Sequence, residues 1–304
     1  MTDNNAQRRS KSYRLPVEDT ELLLRDEMRA VRFALEYAEA ELSLRDWGVR
    51  STIIVFRSAQ FPSPEQAQSL LTAAEGTPAL ERVRRRARQT RWYELAREFA
   101  RLVSERGGAL SPAGRLRDNV IATGGGPGIM EAANRGASDA GAPSIGFNIS
   151  LPAEQEPNPY STPELTFRFH YFAMRKMHLA MRANALAAFP GGFGTIDELF
   201  ELLTLQQTRK APPMPIVLFG RDYWRRMIDF DGLVEEGMIA AEDLALFAFA
   251  DDPEEGWEAM LRHGLKAHTP PAAAIQNVRW RVACWWMWSL ACLQSGARAI
   301  MACA

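Results

Sequence analysis

The sequence predicts an α/β fold, an open parallel sheet with helices on both faces and a helical extension at the N-terminus. Three observations predict it. Short apolar or β-branched runs alternate with longer runs of helical spacing over most of the 304 residues, the pattern of successive βα units. Two glycine clusters, Gly124–Gly128 and Gly191–Gly194, each follow a strand-like run and precede a helical one. Hydrophobic residues make up 47% of the chain, enough for a substantial buried core.

The elements follow in order. Residues 1–16 are polar and expected to be mobile; residues 17–265 are expected to form one nucleotide-binding domain, and residues 266–304 an atypical tail. From about Val17 to Trp47, Leu22-Leu23-Leu24, Met28, Val31, Phe33-Ala34-Leu35, Ala38 and Leu42 recur with helical amphipathic spacing. Thr52-Ile53-Ile54-Val55-Phe56 reads as the first core strand. Helices are expected near Ser63–Ala73 and from Pro78 to about Glu105. Asn119–Thr123 is the next strand, then a helix over Ile129–Ala140 with Pro127 just ahead of it, where a missing N–H does no harm. Ser144–Ile149 and the alternating Leu165–His170 read as strands three and four. A helix over Tyr171–Ala183, a strand over 185–189, a helix over 194–209, a strand over Met214–Phe219 and a helix over 221–236 complete a Rossmann-like series. No internal repeat is present.

Composition excludes several function classes. Lysine plus arginine number 36 against 37 acidic residues, so the net charge of −1 gives no general case for nucleic acid. The cluster Arg82, Arg84, Arg85, Arg86, Arg88 and Arg91 lies on a helical stretch and reads as a solvated face. Cys284, Cys292 and Cys303 include no C-x-x-C pair, and His170, His178, His263 and His268 have no ligand spacing, so no metal site is expected. Residues Met1-Thr2-Asp3-Asn4-Asn5 open no apolar core of signal-peptide length, and the expected location is the cytoplasm. The tail carries Trp280, Trp285, Trp286 and Trp288, but its apolar core over Val282–Leu293 falls short of the roughly 20 residues that span a bilayer, so no membrane is expected as a partner.

The chemistry concentrates at Pro190-Gly191-Gly192-Phe193-Gly194-Thr195-Ile196-Asp197-Glu198. A strand, a glycine turn and a helix meet there, which aims unpaired backbone N–H groups and the positive end of the helix dipole at one point. An anion, most plausibly a phosphate, belongs at that point, with the Asp197-Glu198 pair beside it. Upstream, Arg175 and Lys176 open the helix that feeds the preceding strand. Neither glycine cluster is the dinucleotide fingerprint, and neither carries the Walker lysine. Tight turns need glycine anyway, so either cluster alone is weak; both on one sheet edge form a stronger signal.

Together, Gly124-Gly125-Gly126-Pro127-Gly128-Ile129-Met130-Glu131-Ala132, residues 190–198, and Arg175-Lys176 fifteen and fourteen residues before Pro190 resemble the LOG (Lonely Guy) family. Its members are cytokinin riboside 5′-monophosphate phosphoribohydrolases, long mislabelled as lysine decarboxylases. The resemblance covers roughly residues 50–220. The stretch Glu154–Tyr160 and the long N-terminal helical region resemble the larger bacterial members. One departure is Phe56-Arg57-Ser58-Ala59, where the family usually has a Phe-Gly-Ser turn.

The resemblance implies hydrolysis of the N-glycosidic bond of a nucleoside 5′-monophosphate, AMP or a cytokinin riboside 5′-monophosphate, to free base and ribose 5-phosphate. It implies no cofactor, and a homodimer or higher homo-oligomer. The phosphate falls to the backbone of Gly191, Gly192 and Gly194 and to Thr195; Glu198 is the candidate for stabilising oxocarbenium character on the sugar. Arg175 matches the family's catalytic arginine, with three tasks open: steering the substrate, holding Glu198 ionised, or meeting the departing base. Lys176, Asp197, Thr204, Gly125 and Gly126 are further candidate substrate contacts. Three readings compete: a non-catalytic nucleotide sensor, a pyridoxal-phosphate decarboxylase using Lys176, and a nucleic-acid binder using the arginines at 82–91.

Overall fold

The computed structural model describes residues 3–56, 61–110, 116–151 and 156–266. The Arg57 turn and the tryptophan-bearing tail therefore lie outside the described residues. Strands β1 (Thr52–Phe56), β2 (Val120–Thr123), β3 (Ser144–Ile149), β4 (Thr166–Phe169), β5 (Ala183–Ala188), β6 (Ile216–Phe219) and β7 (Ala248–Ala250) form one sheet in the order β4-β3-β2-β1-β5-β6-β7. Every pairing is parallel. The order reverses between β1 and β5, and a crevice at the carboxyl ends of those strands is where such a sheet receives ligands.

Alternation along each strand divides the core into two layers. Ile54, Phe56, Ala122, Phe147, Leu186, Ala188 and Leu218 face one side, where they meet α3 (Arg29–Asp46), α8 (Phe172–Met181) and α9 (Phe193–Gln207). Ile53, Val55, Ile121, Ala185, Ala187, Val217 and Phe219 face the other, under α6 (Thr90–Arg106), α7 (Ile129–Asp139) and α12 (Pro253–Arg262). Burial on both faces explains why these strands read as continuous apolar runs.

The helical extension expected over about 17–47 is present but is not one continuous helix. Only α3 is long; short turns precede it, with α1 (Asn5–Arg8) and α2 (Thr20–Leu23) among them. Arg25 is extended (φ −64°, ψ 152°), and the Arg32 guanidinium donates back to the carbonyls of Leu23 and Arg25, so side-chain bonding replaces the helical ladder there.

Two other expected helices are also divided. The helix over 78–105 becomes α5 (Leu80–Ala87) and α6, because α5 buries nothing whereas α6 must turn Tyr93, Ala96, Phe99 and Val103 inward. The helix over 221–236 becomes α10 (Arg221–Met227) and α11 (Phe230–Glu235): Ile228 is extended, and Asp229 caps α11 by accepting from the Gly232 amide. Ahead of these, Ser63 caps α4 (Pro64–Ala74) with a reciprocal capping box. Strand β7 and helix α12 were not anticipated. Three residues of strand give no readable period, although Asp252-Pro253-Glu254-Glu255 carries the start signal of α12, with the Asp252 carboxylate accepting from the Glu255 amide. Among the described residues, no helix is long and apolar enough to cross a membrane.

Candidate active site

A cavity of about 300 Å³ opens at the carboxyl edge where the strand order reverses. Val55 and Phe56 at the end of β1, Gly124 after β2, and Asn148 and Ile149 at the end of β3 form one side. Helix α8 contributes Phe172, Arg175 and Lys176, and the start of α9 contributes Gly192, Phe193, Gly194, Thr195, Asp197 and Glu198. The structure thus brings Arg175, Lys176, Gly192, Gly194, Thr195, Asp197 and Glu198 to one wall system.

The glycine turn after β5 is built to approach something. Gly191 lies against Thr195 so closely that a Cβ there would collide with the threonine hydroxyl and its Cβ. The Tyr223 hydroxyl pins the turn by donating to the Gly191 carbonyl at 2.6 Å. Gly192 and Gly194 are different. Neither has a positive φ, and among the described residues nothing lies within 4 Å of where their Cβ atoms would be. Helix α9 starts on Gly192 with no side-chain cap, so its first amides are directed at the cavity mouth.

Helix α8 is set by the N-terminal extension. The Glu36 carboxylate accepts from the amides of His170 (2.9 Å) and Tyr171 (3.3 Å), and Phe33 packs edge-on to Tyr171 at 4.2 Å. One turn into α8, Arg175 donates through Nε to the Phe147 carbonyl at 2.9 Å, and its Nη2 lies 3.3 Å from Glu198 Oε1. Both side chains of that pair are 12% exposed, so the pair faces the cavity from a largely dry wall. Gly124 makes room for it, since a Cβ there would sit 2.6 Å from Arg175 Nη2 and 2.7 Å from Met130 Sδ.

Beside this pair, Lys176 Nζ lies 2.6 Å from Asp197 Oδ2 and 3.3 Å from Glu201 Oε2. Burial alone would lower the lysine's pKa, but hydrogen bonding to Asp197 and the charge of Glu201 outweigh it and raise the pKa. Burial pushes the Glu201 carboxyl up to about 7 against the pull of Lys176. A Schiff-base lysine needs the opposite, a depressed pKa. His178 is packed against Phe147, Phe169 and Tyr37, and burial, reinforced by Arg182, holds it neutral with a pKa lowered to about 3. Among the described residues, no group of His, Cys, Asp and Glu is placed to hold a metal ion.

The remaining candidates fall elsewhere. Gly125 and Gly126 are buried, and their carbonyls accept from the Asn158 amide at 3.0 and 3.1 Å. Their neighbour Gly124 lines the cavity instead. Thr204 is exposed more than two turns along α9, its hydroxyl donating to the Phe200 carbonyl, and it does not line the cavity. Sequence reasoning missed Asn148, whose buried side-chain Nδ2 has no hydrogen-bond partner among the described residues and which lines the cavity. Between Phe147 and Ile149 in a buried strand, that lone amide was the signal. It also missed Glu201, a polar residue on the inward face of α9, and the apolar rim of Phe193 (94% exposed), Phe172 and Leu151.

Residues 130–260 match a protein family described as "Possible lysine decarboxylase". The chain is similar to the probable cytokinin riboside 5′-monophosphate phosphoribohydrolase LOG4 of Oryza sativa subsp. japonica, with 31% identity over 141 residues, 45% of this chain and 60% of that protein. It is also similar to the cytokinin riboside 5′-monophosphate phosphoribohydrolase LOG4 of Arabidopsis thaliana, with 29% identity over 145 residues, 46% of this chain and 66% of the relative. The chain therefore spans less than two thirds of the length of these relatives. Among solved structures, the molybdenum cofactor binding protein of Rippkaea orientalis aligns with a TM-score of 0.43 and 19% identity, over 70% of this chain and 97% of that one.

Proposed function

We propose that this chain is a member of the LOG family and hydrolyses the N-glycosidic bond of nucleoside 5′-monophosphates, AMP or a cytokinin riboside 5′-monophosphate, releasing the base and ribose 5-phosphate. One observation carries the reading. Among the described residues neither backbone conformation nor packing requires glycine at 192 or 194, yet both stand at the uncapped start of α9 beside the Arg175–Glu198 pair. The activity for which the rice and Arabidopsis relatives are named supports the same reaction.

In this reading the phosphate sits against the amides of Gly192, Phe193 and Gly194 and the side of Thr195, with Lys176 as its cation. Binding energy from that non-reacting group positions the sugar. As the bond to the base lengthens, positive charge develops on the ribose, and the Glu198 carboxylate stabilises it and orients the attacking water. Arg175 holds Glu198 in place through their ion pair, and its bond to the Phe147 carbonyl fixes the guanidinium plane. Asp197 contributes by orienting Lys176. The unpartnered Asn148 amide is a donor for the nucleoside portion. No cofactor enters the scheme. The homo-oligomer belongs to the same proposal, with Phe193, Phe172 and Leu151 at the mouth as contact residues, and light scattering tests it.

The experiment is incubation with a panel of nucleoside 5′-monophosphates and chromatographic detection of free base. Arg175→Ala and Glu198→Ala each lose at least about a hundredfold in kcat/KM while keeping the wild-type circular dichroism. Wild-type turnover in both variants sinks the mechanism.

A further inference from the structure

Glu201 lies outside the cavity lining, behind Lys176, and its environment is unusual for a carboxylate. Its side chain is 13% exposed; one oxygen lies 3.3 Å from Lys176 Nζ, and the other, Oε1, is buried with no hydrogen-bond partner among the described residues. A carboxylate left half satisfied in a dry site is held in its charged form by little besides the lysine.

The charges around it do not balance. Helix α9 presents Asp197, Glu198 and Glu201, whereas α8 opposes them with Arg175 and Lys176. With all five ionised the cluster carries one excess negative charge, against an arriving phosphate that is itself an anion. Lys176 resolves the conflict in one of two ways. It can serve Asp197 and Glu201, as here, or it can serve a ligand at the glycine turn, because it also lines the cavity.

We propose that Glu201 is a positioning residue: it holds Lys176 in the unliganded protein and takes up a proton from solvent when a phosphate monoester draws that ammonium toward the turn. The balance is simple. One proton leaves the buffer and binds a Glu201 oxygen, and no covalent bond between heavy atoms changes. Protonation removes the excess negative charge and releases Lys176 without stranding a buried carboxylate. The groups that set this exchange are Lys176 and Arg175 from α8, and Asp197 and Glu198 from the same helix. Burial already pushes Glu201 up to about 7, so the exchange falls within the physiological range. The inference rests on the nucleotide reading above and adds a proton to its binding step.

The test uses ribose 5-phosphate, which the protein does not consume, in isothermal titration at pH 7.5 in buffers of different ionisation enthalpy. Wild type is expected to take up a measurable fraction of a proton, at most about one, more than Glu201→Gln does. The ligand's own phosphate titrates near pH 6 and contributes equally to both proteins. Affinity of wild type falls between pH 7 and 8.5 by at most about tenfold per unit, and Glu201→Gln flattens that slope. Lys176→Met is expected to lose the extra proton as well, which a purely structural role for Glu201 would not produce. Equal proton uptake in wild type and Glu201→Gln overturns the proposal, and a wild-type affinity independent of pH over that range overturns it even if the variant fails to fold. If ribose 5-phosphate does not bind and no monophosphate releases base, the nucleotide reading and this one fall together. Base release with no proton difference overturns this one alone.

Discussion

The two glycine turns stand on the same sheet edge and look alike in the sequence, but the protein uses them in opposite ways. In the first, Gly125 has φ +69°, a Cβ there would collide with the Asn148 amide, and Asn158 bonds the carbonyls of Gly125 and Gly126 from behind. The Thr123 hydroxyl accepts from the Gly125 amide at 2.9 Å. The Gly125 amide and the carbonyls of Gly125 and Gly126 are thus bonded within the protein itself. In the second turn, Gly191 is packed on Thr195, but among the described residues nothing crowds Gly192 or Gly194, at a helix start without a side-chain cap. Glycine demanded by the fold marks a structural turn; glycine the fold does not demand marks a place kept clear. Only Gly124 of the first turn reaches the site, and it does so by leaving room for Arg175.

That contrast can be broken by substitution. Gly125→Ala introduces both a positive-φ strain and a clash, and is expected to destabilise by about 3 kcal/mol, read as a fall of several degrees in Tm. Asn158→Ala removes the amide that satisfies two buried carbonyls and is expected to cost about 2 kcal/mol in denaturant unfolding. Gly194→Ala has the opposite signature. Alanine at this helical, open position raises stability by about 0.5–1 kcal/mol while kcat/KM for monophosphates falls about tenfold or more. A Gly194→Ala protein that is unstable or fully active would erase the distinction between the turns.

Glu201→Gln sharpens it on the electrostatic side. The folded pKa of Glu201 is raised above its unfolded value, so the folded state holds the extra proton, and wild-type stability declines as pH rises from about 4.5 through about 7. The variant lacks this decline and gains on the order of 1 kcal/mol relative to wild type at pH 8. The smallest effect is expected at Thr204, which lies down the helix from both turns: Thr204→Ala leaves kcat/KM within about twofold and stability within about 0.5 kcal/mol.

Much of this was legible in the sequence, for reasons that can be named. Strand β1 could be read to the residue because Thr52–Phe56 is buried on both faces and β-branched from Thr52 to Val55. The link between Arg175-Lys176 and residues 197–198 could be read because both lie at helix starts on one sheet edge. Helix breaks at Ile228 and Arg88-Gln89 could not, since they arise from which face must be buried and from a cap rather than from propensity. The division of labour between the glycine turns was hidden for a different reason. Asn148 and Asn158 lie 23 and 33 residues beyond Gly125, and only the fold brings their amides onto it.

In the proposed function the open turn holds a phosphate so that Glu198 can act on the attached sugar. Comparing base release from AMP and from adenosine by the same protein tests it most directly. Rapid release from AMP, at least about a hundredfold slower release from adenosine, and loss of both in Glu198→Gln is the predicted result. Adenosine turning over as fast as AMP, or Glu198→Gln matching wild type on AMP, would contradict it.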